Sequence, residues 1–190
     1  MTEERKSKFK KAIAKRQPNL TIVMEDIRDP HNIAAVLRSC DSVGVQEVFI
    51  INPEAQIIGR KSSGSANKWL DMRFFTDVES CYKAVRKKYD KIYTTHLSED
   101  AVSLYEMDLT QSVALVFGNE QIGNSKKAVE LADGNFIIPQ VGLIQSLNIS
   151  VACAVTLYEA YRQRAAAGNY TNSLLSETEQ AALFEEWIER

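Results

Sequence analysis

The chain has 190 residues and a formal net charge of -2, with 45% hydrophobic and 25% charged residues. This length predicts one domain, and the composition is that of an ordinary globular protein, which excludes wholesale disorder. The overall charge does not by itself indicate a nucleic-acid partner.

The start of the chain and its cysteines favour a cytoplasmic location. Residues 1–18 are basic and polar with no apolar segment after them, so no secretory signal is expected, and no apolar run approaches the ~20 residues of a membrane helix. Cys40, Cys81 and Cys153 are odd in number and widely spaced, which favours buried thiols over a disulfide framework or a metal site. We expect a soluble cytoplasmic protein that binds neither metal nor membrane.

The charge is unevenly distributed along the chain. Residues 1–16 carry seven Lys and Arg against two Glu, a charge of +5, whereas residues 171–190 carry one Arg against five Glu, a charge of -4. The basic segment predicts a helix that ends before Pro18. Two interpretations of it stay open: a solvated helix face without a partner, or an arm that contacts the phosphates of a polyanion.

The middle of the chain alternates strands and helices. Short apolar runs predict strands at 20–24, 47–51, 72–75, 91–95, 113–117 and 136–138. Helices are predicted at 31–43, 78–89, 125–132 and 146–166, with Gly44 at the end of the first and a polar loop at 58–67. This alternation indicates an α/β fold with a mostly parallel sheet and helices on both faces. Ligands of such sheets bind beyond the carboxyl ends of the strands.

The first loop that follows a predicted strand carries Asn32 and Arg38. The two residues are six apart, which is about 240° around a helix, so they do not share a face. Asn32 is expected at the helix start, where capping is its simplest role. Arg38 lies among apolar residues, so its guanidinium either extends to solvent or pairs with a carboxylate such as Glu120.

Two further polar loops follow strands later in the chain. Residues 117–123 place Glu120 between two glycines, but Asn124 stands where a P-loop requires lysine, and no glycine triplet of the dinucleotide-binding type is present. Residues 138–150 lead into the last long helix, for which Ser146 is the expected N-cap. Convergence of the three loops at the carboxyl ends of parallel strands predicts one common site.

Three strings of residues resemble the motifs of the SPOUT RNA ribose methyltransferases in order and spacing. They are N-I-A-A-V-L-R at 32–38, F-G-N-E-Q-I-G at 117–123 and I-P-Q-V-G-L-I-Q-S-L-N-I-S-V-A at 138–152. The resemblance spans about residues 10–170. Within the superfamily the chain is similar to the TrmH-type tRNA guanosine-18 2′-O-methyltransferases, a subgroup that the segments 16–26 and 95–98 also resemble.

The resemblance implies an architecture and a cofactor. It implies a parallel α/β fold with a deep C-terminal trefoil knot, a homodimer, tRNA as substrate and S-adenosylmethionine as methyl donor. The expected organisation is a basic helical extension at 1–18, a methyltransferase domain at 19–168 and an acidic helical tail at 169–190.

The resemblance also implies roles for individual residues. Arg38 would lie at the reacting hydroxyl, oriented by Asn32 and Glu120, while Ser146 and Asn148 would shape the cofactor and ribose pocket. Because arginine has a pKa of about 12 or more, two hypotheses stay open: Arg38 acts as a base when desolvated against a substrate phosphate, or it only orients the nucleotide. The residues whose backbone would cradle the adenosyl group are Thr95, Gly118, Ile138 and Leu147. The candidate tRNA phosphate contacts are Arg5, Lys8, Lys11, Arg16, Arg162 and Arg164.

Two alternatives to tRNA ribose methylation stay open. The first is ribosomal-RNA ribose methylation by a related SPOUT protein, which the lack of a separate N-terminal RNA-binding domain disfavours. The second is a non-catalytic RNA-binding protein of the same fold, which the presence of the arginine and of the S-L-N triplet disfavours. For RNA binding, we expect deletion of residues 1–16 to weaken affinity and removal of the acidic tail to do much less.

Overall fold

The computed structural model describes residues 1–52, 68–144 and 146–190, so the predicted loop at 58–67 lies outside the described residues. The strands are β1 (Leu20–Glu25), β2 (Glu47–Ile51), β3 (Asp71–Phe75), β4 (Lys91–Thr95), β5 (Val102–Ser103), β6 (Val113–Phe117) and β7 (Gly134–Ile137). Within the described ranges they form one sheet in the order β3-β2-β1-β6-β4-β7-β5, and each neighbouring pair is parallel. The predicted parallel sheet is confirmed: β2, β4 and β6 have the predicted bounds, and β1, β3 and β7 differ from them by one or two residues at an end.

The helices are α1 (Glu3–Ile13), α2 (Pro30–Ser42), α3 (Val78–Val85), α4 (Lys126–Leu131), α5 (Ile149–Ala166) and α6 (Glu177–Glu189). The sequence gives no signal for the two-residue strand β5 or for the short 3-10 helix Leu104–Glu106 that follows it. Gly44 follows α2 with φ of +83°, as predicted for a helix end. A Cβ atom there would also lie 2.4 Å from the carbonyl oxygen of Lys15, so both the positive φ and the close backbone contact require glycine.

Two predicted N-cap residues are wrong, and α5 also begins three residues later than predicted. Asp29, not Asn32, caps α2: its carboxylate accepts the N–H of His31, and Pro30 occupies the first helical position. Asn148, not Ser146, caps α5, and its side chain accepts the N–H of Ser150. The side chains of Asn32 and Ser146 are therefore not used as caps and are available to the site described below.

The sheet carries helices on both faces, as predicted. Every residue of β1, β2 and β6 is buried. α2 and α5 cover one face of the sheet with Leu37 and Leu157, and α3 and α4 cover the other with Val85 and Ala128. All three cysteines are buried, which agrees with the interpretation of them as core thiols.

Arg164 is fully buried and joins α5 to the segments that precede β1 and β6. Its guanidinium donates to the backbone oxygens of Leu109, Asn19 and Gln111 and to the side-chain oxygens of Asn19 and Gln17. Burial lowers its pKa to about 10, so the group stays charged at neutral pH. The prediction that Arg164 contacts tRNA phosphate is wrong, because its donors are occupied inside the protein.

Arg16 is a second predicted phosphate contact that the structure places inside. Its side chain is 3% exposed and donates to the carbonyl oxygen of Val45 at 2.7 Å and to the carboxylate of Asp41 at 2.6 Å. Desolvation lowers the pKa of Arg16, and Asp41 opposes that shift. The prediction of an RNA contact at Arg16 is wrong for the same reason as at Arg164.

Replacement of Arg164 by methionine should destabilise the fold severely. It leaves buried carbonyl oxygens without donors, so we expect the free energy of unfolding to fall by about 3 kcal/mol or more. Arg162→Met is the matched control, because Arg162 lies on the surface and, within the described ranges, its ion pair is with Glu159, which also accepts from Gln163; a loss below about 1 kcal/mol is expected there. Urea unfolding measures both, and equal losses would contradict the role of Arg164.

Candidate active site

Three loops meet beyond the carboxyl ends of β1, β6 and β7, and a chain of side-chain hydrogen bonds joins them. The amide of Asn148, at the start of α5, donates to the Oδ1 of Asn32 on α2 at 3.2 Å. Asn32 in turn donates through Nδ2 to the Oε1 of Glu120 at 2.8 Å. The carboxylate of Glu120 only accepts hydrogen bonds, so Asn32 must donate to it through Nδ2. The Oδ1 of Asn32 is then left to accept from Asn148. We call these three residues the amide–carboxylate chain.

The loop between β6 and α4 is a tight turn that depends on Gly118. The backbone N–H groups of Asn119 and Gly123 donate to each other's carbonyl oxygens at 3.1 and 2.8 Å. This pairing folds the chain back so closely that a Cβ atom on Gly118 would lie 2.2 Å from the backbone nitrogen of Asn124. The turn presents Glu120 at its exposed end.

Three contacts fasten this loop to neighbouring strands. The amide of Asn119 donates to the carbonyl oxygen of Asp26 at 2.9 Å, and the amide of Asn124 donates to that of Thr95 at 2.9 Å. The backbone N–H of Ser125 donates to the carboxylate of Glu25, which is buried at the end of β1. Sequence analysis missed these supporting groups, because asparagines in a polar loop are indistinguishable from ordinary turn residues and Glu25 directly follows an apolar run, where an exposed carboxylate is the usual expectation.

A cavity of about 760 Å³ opens beside this loop. Four predicted cofactor residues and two predicted catalytic residues line it together: Thr95, Gly118, Ile138, Leu147, Glu120 and Ser146. Its walls also include His96, Leu97 and Phe136, which sequence analysis did not single out. Among the described lining residues Glu120 is the one carboxylate and no Lys or Arg occurs, so the cavity favours a ligand with apolar surface and positive charge.

A smaller cavity of about 480 Å³ lies on the other side of Glu120. Most of its lining residues are charged or amide residues, among them Asp26, Arg28, Asp29 and Asn32, and it shares residues 119–122 with the larger cavity. The tight turn therefore separates two neighbouring compartments. Glu120 borders both of them.

Arg38 lies apart from the residues expected to orient it. It is exposed on α2, whereas Asn32 and Glu120 bond each other, and none of the described hydrogen bonds or ion pairs joins either of them to Arg38. The six-residue separation along α2 explains this, because it turns the two side chains to different sides of the helix. The expectation that Asn32 and Glu120 orient Arg38 is therefore corrected: these two residues hold the loops.

The remaining predicted RNA contacts are on the surface. Arg5 lies over the ring of Phe9, and Lys8 pairs with Glu4 at 2.8 Å. Lys11 is exposed, and Arg162 donates two bonds to Glu159.

The described part of the chain contains no helix long and apolar enough to cross a membrane, and no group of three or more His, Cys, Asp or Glu placed to hold a metal ion.

Comparison with known proteins assigns this geometry to a family. Residues 19–158 match the SpoU rRNA Methylase family. The chain is 38% identical over 190 residues to the tRNA (guanosine(18)-2′-O)-methyltransferase of Thermus thermophilus, covering 100% of this chain and 98% of the relative. It is also 38% identical to the enzyme of that name from Escherichia coli over 186 residues, 96% of this chain and 81% of the relative.

Solved structures agree with this match. The TrmH/SpoU tRNA modifying enzyme of A. aeolicus has a TM-score of 0.89 and 33% identity, with 98% of this chain and 96% of that chain covered. AviRb from Streptomyces viridochromogenes, crystallised in complex with the cofactor AdoMet, has a TM-score of 0.68 and 25% identity over 76% of this chain and 57% of that chain. The fold and site are those of an S-adenosylmethionine-dependent RNA methyltransferase. The chain belongs to the SpoU methylase family.

Gly118→Ala tests the tight turn. The added methyl group would collide with the backbone of residues 123 and 124, so we expect a loss of about 1–3 kcal/mol in the free energy of unfolding. Gly142→Ala is the matched control, because it lies in the lining of the same cavity, but its added Cβ would meet nothing within 4 Å. Denaturant titration of both variants measures the difference; a Gly118→Ala protein as stable as the control would contradict the close approach.

Proposed function

We propose that this protein transfers the methyl group of S-adenosylmethionine to the ribose 2′-hydroxyl of guanosine 18 in tRNA, in the cytoplasm and as a homodimer. The observation that carries the proposal is the amide–carboxylate chain between the two cavities. It occurs in a chain that matches, over its whole length, a relative named as a tRNA (guanosine(18)-2′-O)-methyltransferase.

The larger cavity fits S-adenosylmethionine. Phe117, Ile138 and Leu147 supply apolar walls for the adenine ring, and Glu120 supplies the negative charge that a sulfonium cation prefers. The cofactor supplies an already activated methyl carbon, so no metal is needed. Thr95 and Gly118 contribute polar backbone groups at the same wall, as expected for a cradle around the adenosyl group.

The smaller cavity, with Asp26, Arg28 and Asn32 in its lining, suits the target nucleotide. A ribose hydroxyl is a weak nucleophile, so transfer requires alignment with the methyl carbon and removal of a proton. Asn32 and Glu120 border this compartment and are held rigidly by their mutual hydrogen bond, which lets them fix the ribose. Arg38 is assigned to the substrate phosphate, where it either takes the proton or orients the nucleotide; Ser146 and Asn148 complete the ribose side.

The homodimer is supported by an apolar surface around the third loop. Val141, Leu143 and Ile144 are exposed, and Val151 and Tyr158 continue this surface along α5. Exposed apolar residues in such a cluster mark an interaction site. We assign a second copy of the chain as its occupant, the methyltransferase domain to residues 19–168, and the implied trefoil knot to its C-terminal part.

The direct test is to map the methylated nucleotide. The protein is incubated with labelled S-adenosylmethionine and, in separate reactions, unmodified tRNA and unmodified ribosomal RNA, and a tRNA with another base at position 18 serves as control. The proposal expects label on the ribose of guanosine 18 and at least a tenfold loss with the control tRNA. Label on a base, or on ribosomal RNA alone, would overturn it.

Replacement of Arg38 tests its assignment to the reacting nucleotide. Arg38→Ala and Arg38→Lys should each lower turnover by about 100-fold or more, because a planar guanidinium binds phosphate in a way that lysine does not reproduce. Affinity for S-adenosylmethionine, measured by calorimetry, should stay unchanged, because Arg38 does not line the larger cavity. Arg86→Lys, away from the site, is the control. Near-normal turnover in Arg38→Lys would contradict the role.

The basic helix α1 is assigned to tRNA phosphates through Arg5, Lys8 and Lys11, and Arg162 adds a contact on α5. Lys8→Gln combined with Lys11→Gln should weaken tRNA binding and reduce the salt dependence, lowering the slope of log affinity against log salt by about two. Filter binding across a salt series measures this. Lys83→Gln, on the exposed side of α3, is the control, and an unchanged slope in the α1 variant would show that the lysines are only a solvated face.

A further inference from the structure

The acidic C-terminal segment is a docked helix that packs against the basic N-terminal helix. Phe9 and Ile13 of α1 and Leu183 and Trp187 of α6 form a separate buried cluster, apart from the core around the sheet. A capping box at Ser176 starts α6, so the carboxylate of Glu179 is bound to the backbone of the helix start. The segment is therefore an ordered part of the fold.

Aromatic contacts hold the two helices together. Phe9, Trp69 and Trp187 lie in mutual contact, with ring centroids 5.1–5.7 Å apart. The guanidinium of Arg16 lies over the ring of Trp187 at 4.8 Å and is anchored by Asp41. Trp187 is thus the residue through which α6 touches both α1 and the loop that follows it.

The two helices carry opposite charges, yet no ion pair links them among the described residues. The recorded pairs of α1 are internal, Lys6 with Glu3 and Lys8 with Glu4. Within the described ranges, the cation of α1 that contacts α6 is Lys10, whose Nζ lies over the ring of Phe184. Because apolar packing carries the contact, α6 leaves the remaining cations of α1 exposed to solvent. An acidic helix that acted by neutralising α1 would instead pair with these lysines.

This helix pair lies at the opposite edge of the sheet from the cavities. The backbone N–H of Gln17 donates to the carbonyl oxygen of Gly44, just before β2, and Arg190 at the end of α6 binds Lys68 and Asp71, at the start of β3. The cavities lie beyond the other ends of these parallel strands. A five-residue strand spans about 17 Å, so the anchored end of α1 lies about one strand length from the loops that line the cavities.

We propose that α6, through Trp187, is a positioning element that holds α1 in place to bind the RNA backbone away from the methylated nucleotide. The proposal rests on the assignment of α1 to tRNA phosphates. It reverses the expectation from charge alone, because removal of an acidic segment should then weaken binding to a polyanion. It also predicts an effect on the KM for tRNA without one on kcat.

Trp187→Ala tests the positioning role against two controls. We expect at least a fivefold rise in the KM for tRNA, a salt slope reduced to that of the Lys8→Gln/Lys11→Gln protein, and unchanged kcat and S-adenosylmethionine affinity. Trp187→Phe should restore most of the affinity, since it keeps the aromatic contact. Glu185→Gln with Glu189→Gln removes negative charge from exposed positions of α6 and should not raise the KM.

The outcomes separate this proposal from the one it rests on. Normal tRNA binding by folded Trp187→Ala, while the α1 lysine variant binds weakly, would overturn the positioning role and leave the RNA contact of α1 intact. Normal binding by the lysine variant would overturn both. Tighter binding by Glu185→Gln/Glu189→Gln with no effect of Trp187→Ala would show that α6 acts through charge. If Trp187→Ala does not fold, Leu183→Ala, a smaller loss in the same cluster, carries the same test.

Discussion

The site depends on two hydrogen bonds that join three separate segments of the chain. Asn148 donates to Asn32 and Asn32 donates to Glu120, so one chain of hydrogen bonds connects α5, α2 and the tight turn after β6. Each segment alone is a polar loop or a helix start without a defined ligand. Joined, they separate a larger cavity, which Phe117, Ile138 and Leu147 help to line, from a smaller one lined by Asp26, Arg28 and Asn32, with a carboxylate at the boundary. This arrangement matches the needs of methyl transfer, which brings a cationic donor and a neutral hydroxyl together in line.

The sheet and its helices serve this connection. Parallel strands bring the ends of β1, β6 and β7 to one edge, and Gly118 allows the turn after β6 to fold close enough for Asn119 and Asn124 to fasten it to β1 and β4. At the opposite edge Arg164 bonds the end of α5 to the segments before β1 and β6. The buried Arg164 thus anchors the C-terminal end of α5, and the exposed amide of Asn148 anchors its N-terminal end. The helix α1, which we assign to RNA phosphates, is anchored at the edge away from the cavities, so the proposal separates RNA binding from catalysis.

Most of the fold could be predicted from the sequence, because buried parallel strands are short apolar runs and the helices between them show clear periodicity. The site was predicted less completely. Thr95, Gly118, Ile138 and Leu147 line the cavity as expected, and Asn32, Glu120 and Asn148 come together. The pairing among these last three could not be derived, because it links residues 88 and 116 positions apart. Arg16 and Arg164 were misassigned for a related reason: a charge counted along the chain gives no indication that its partners are backbone carbonyls elsewhere in the fold.

A double-mutant cycle on Asn32 and Glu120 tests the central claim most directly. Asn32→Ala, Glu120→Ala and the double variant are compared by kcat/KM for tRNA methylation, with thermal unfolding as a check on folding. If the two residues act as one unit, the double variant is no more impaired than the worse single variant, and their coupling exceeds about 1 kcal/mol. Additive losses would contradict the account, because they would mean that the hydrogen bond between Asn32 and Glu120 does not build the site.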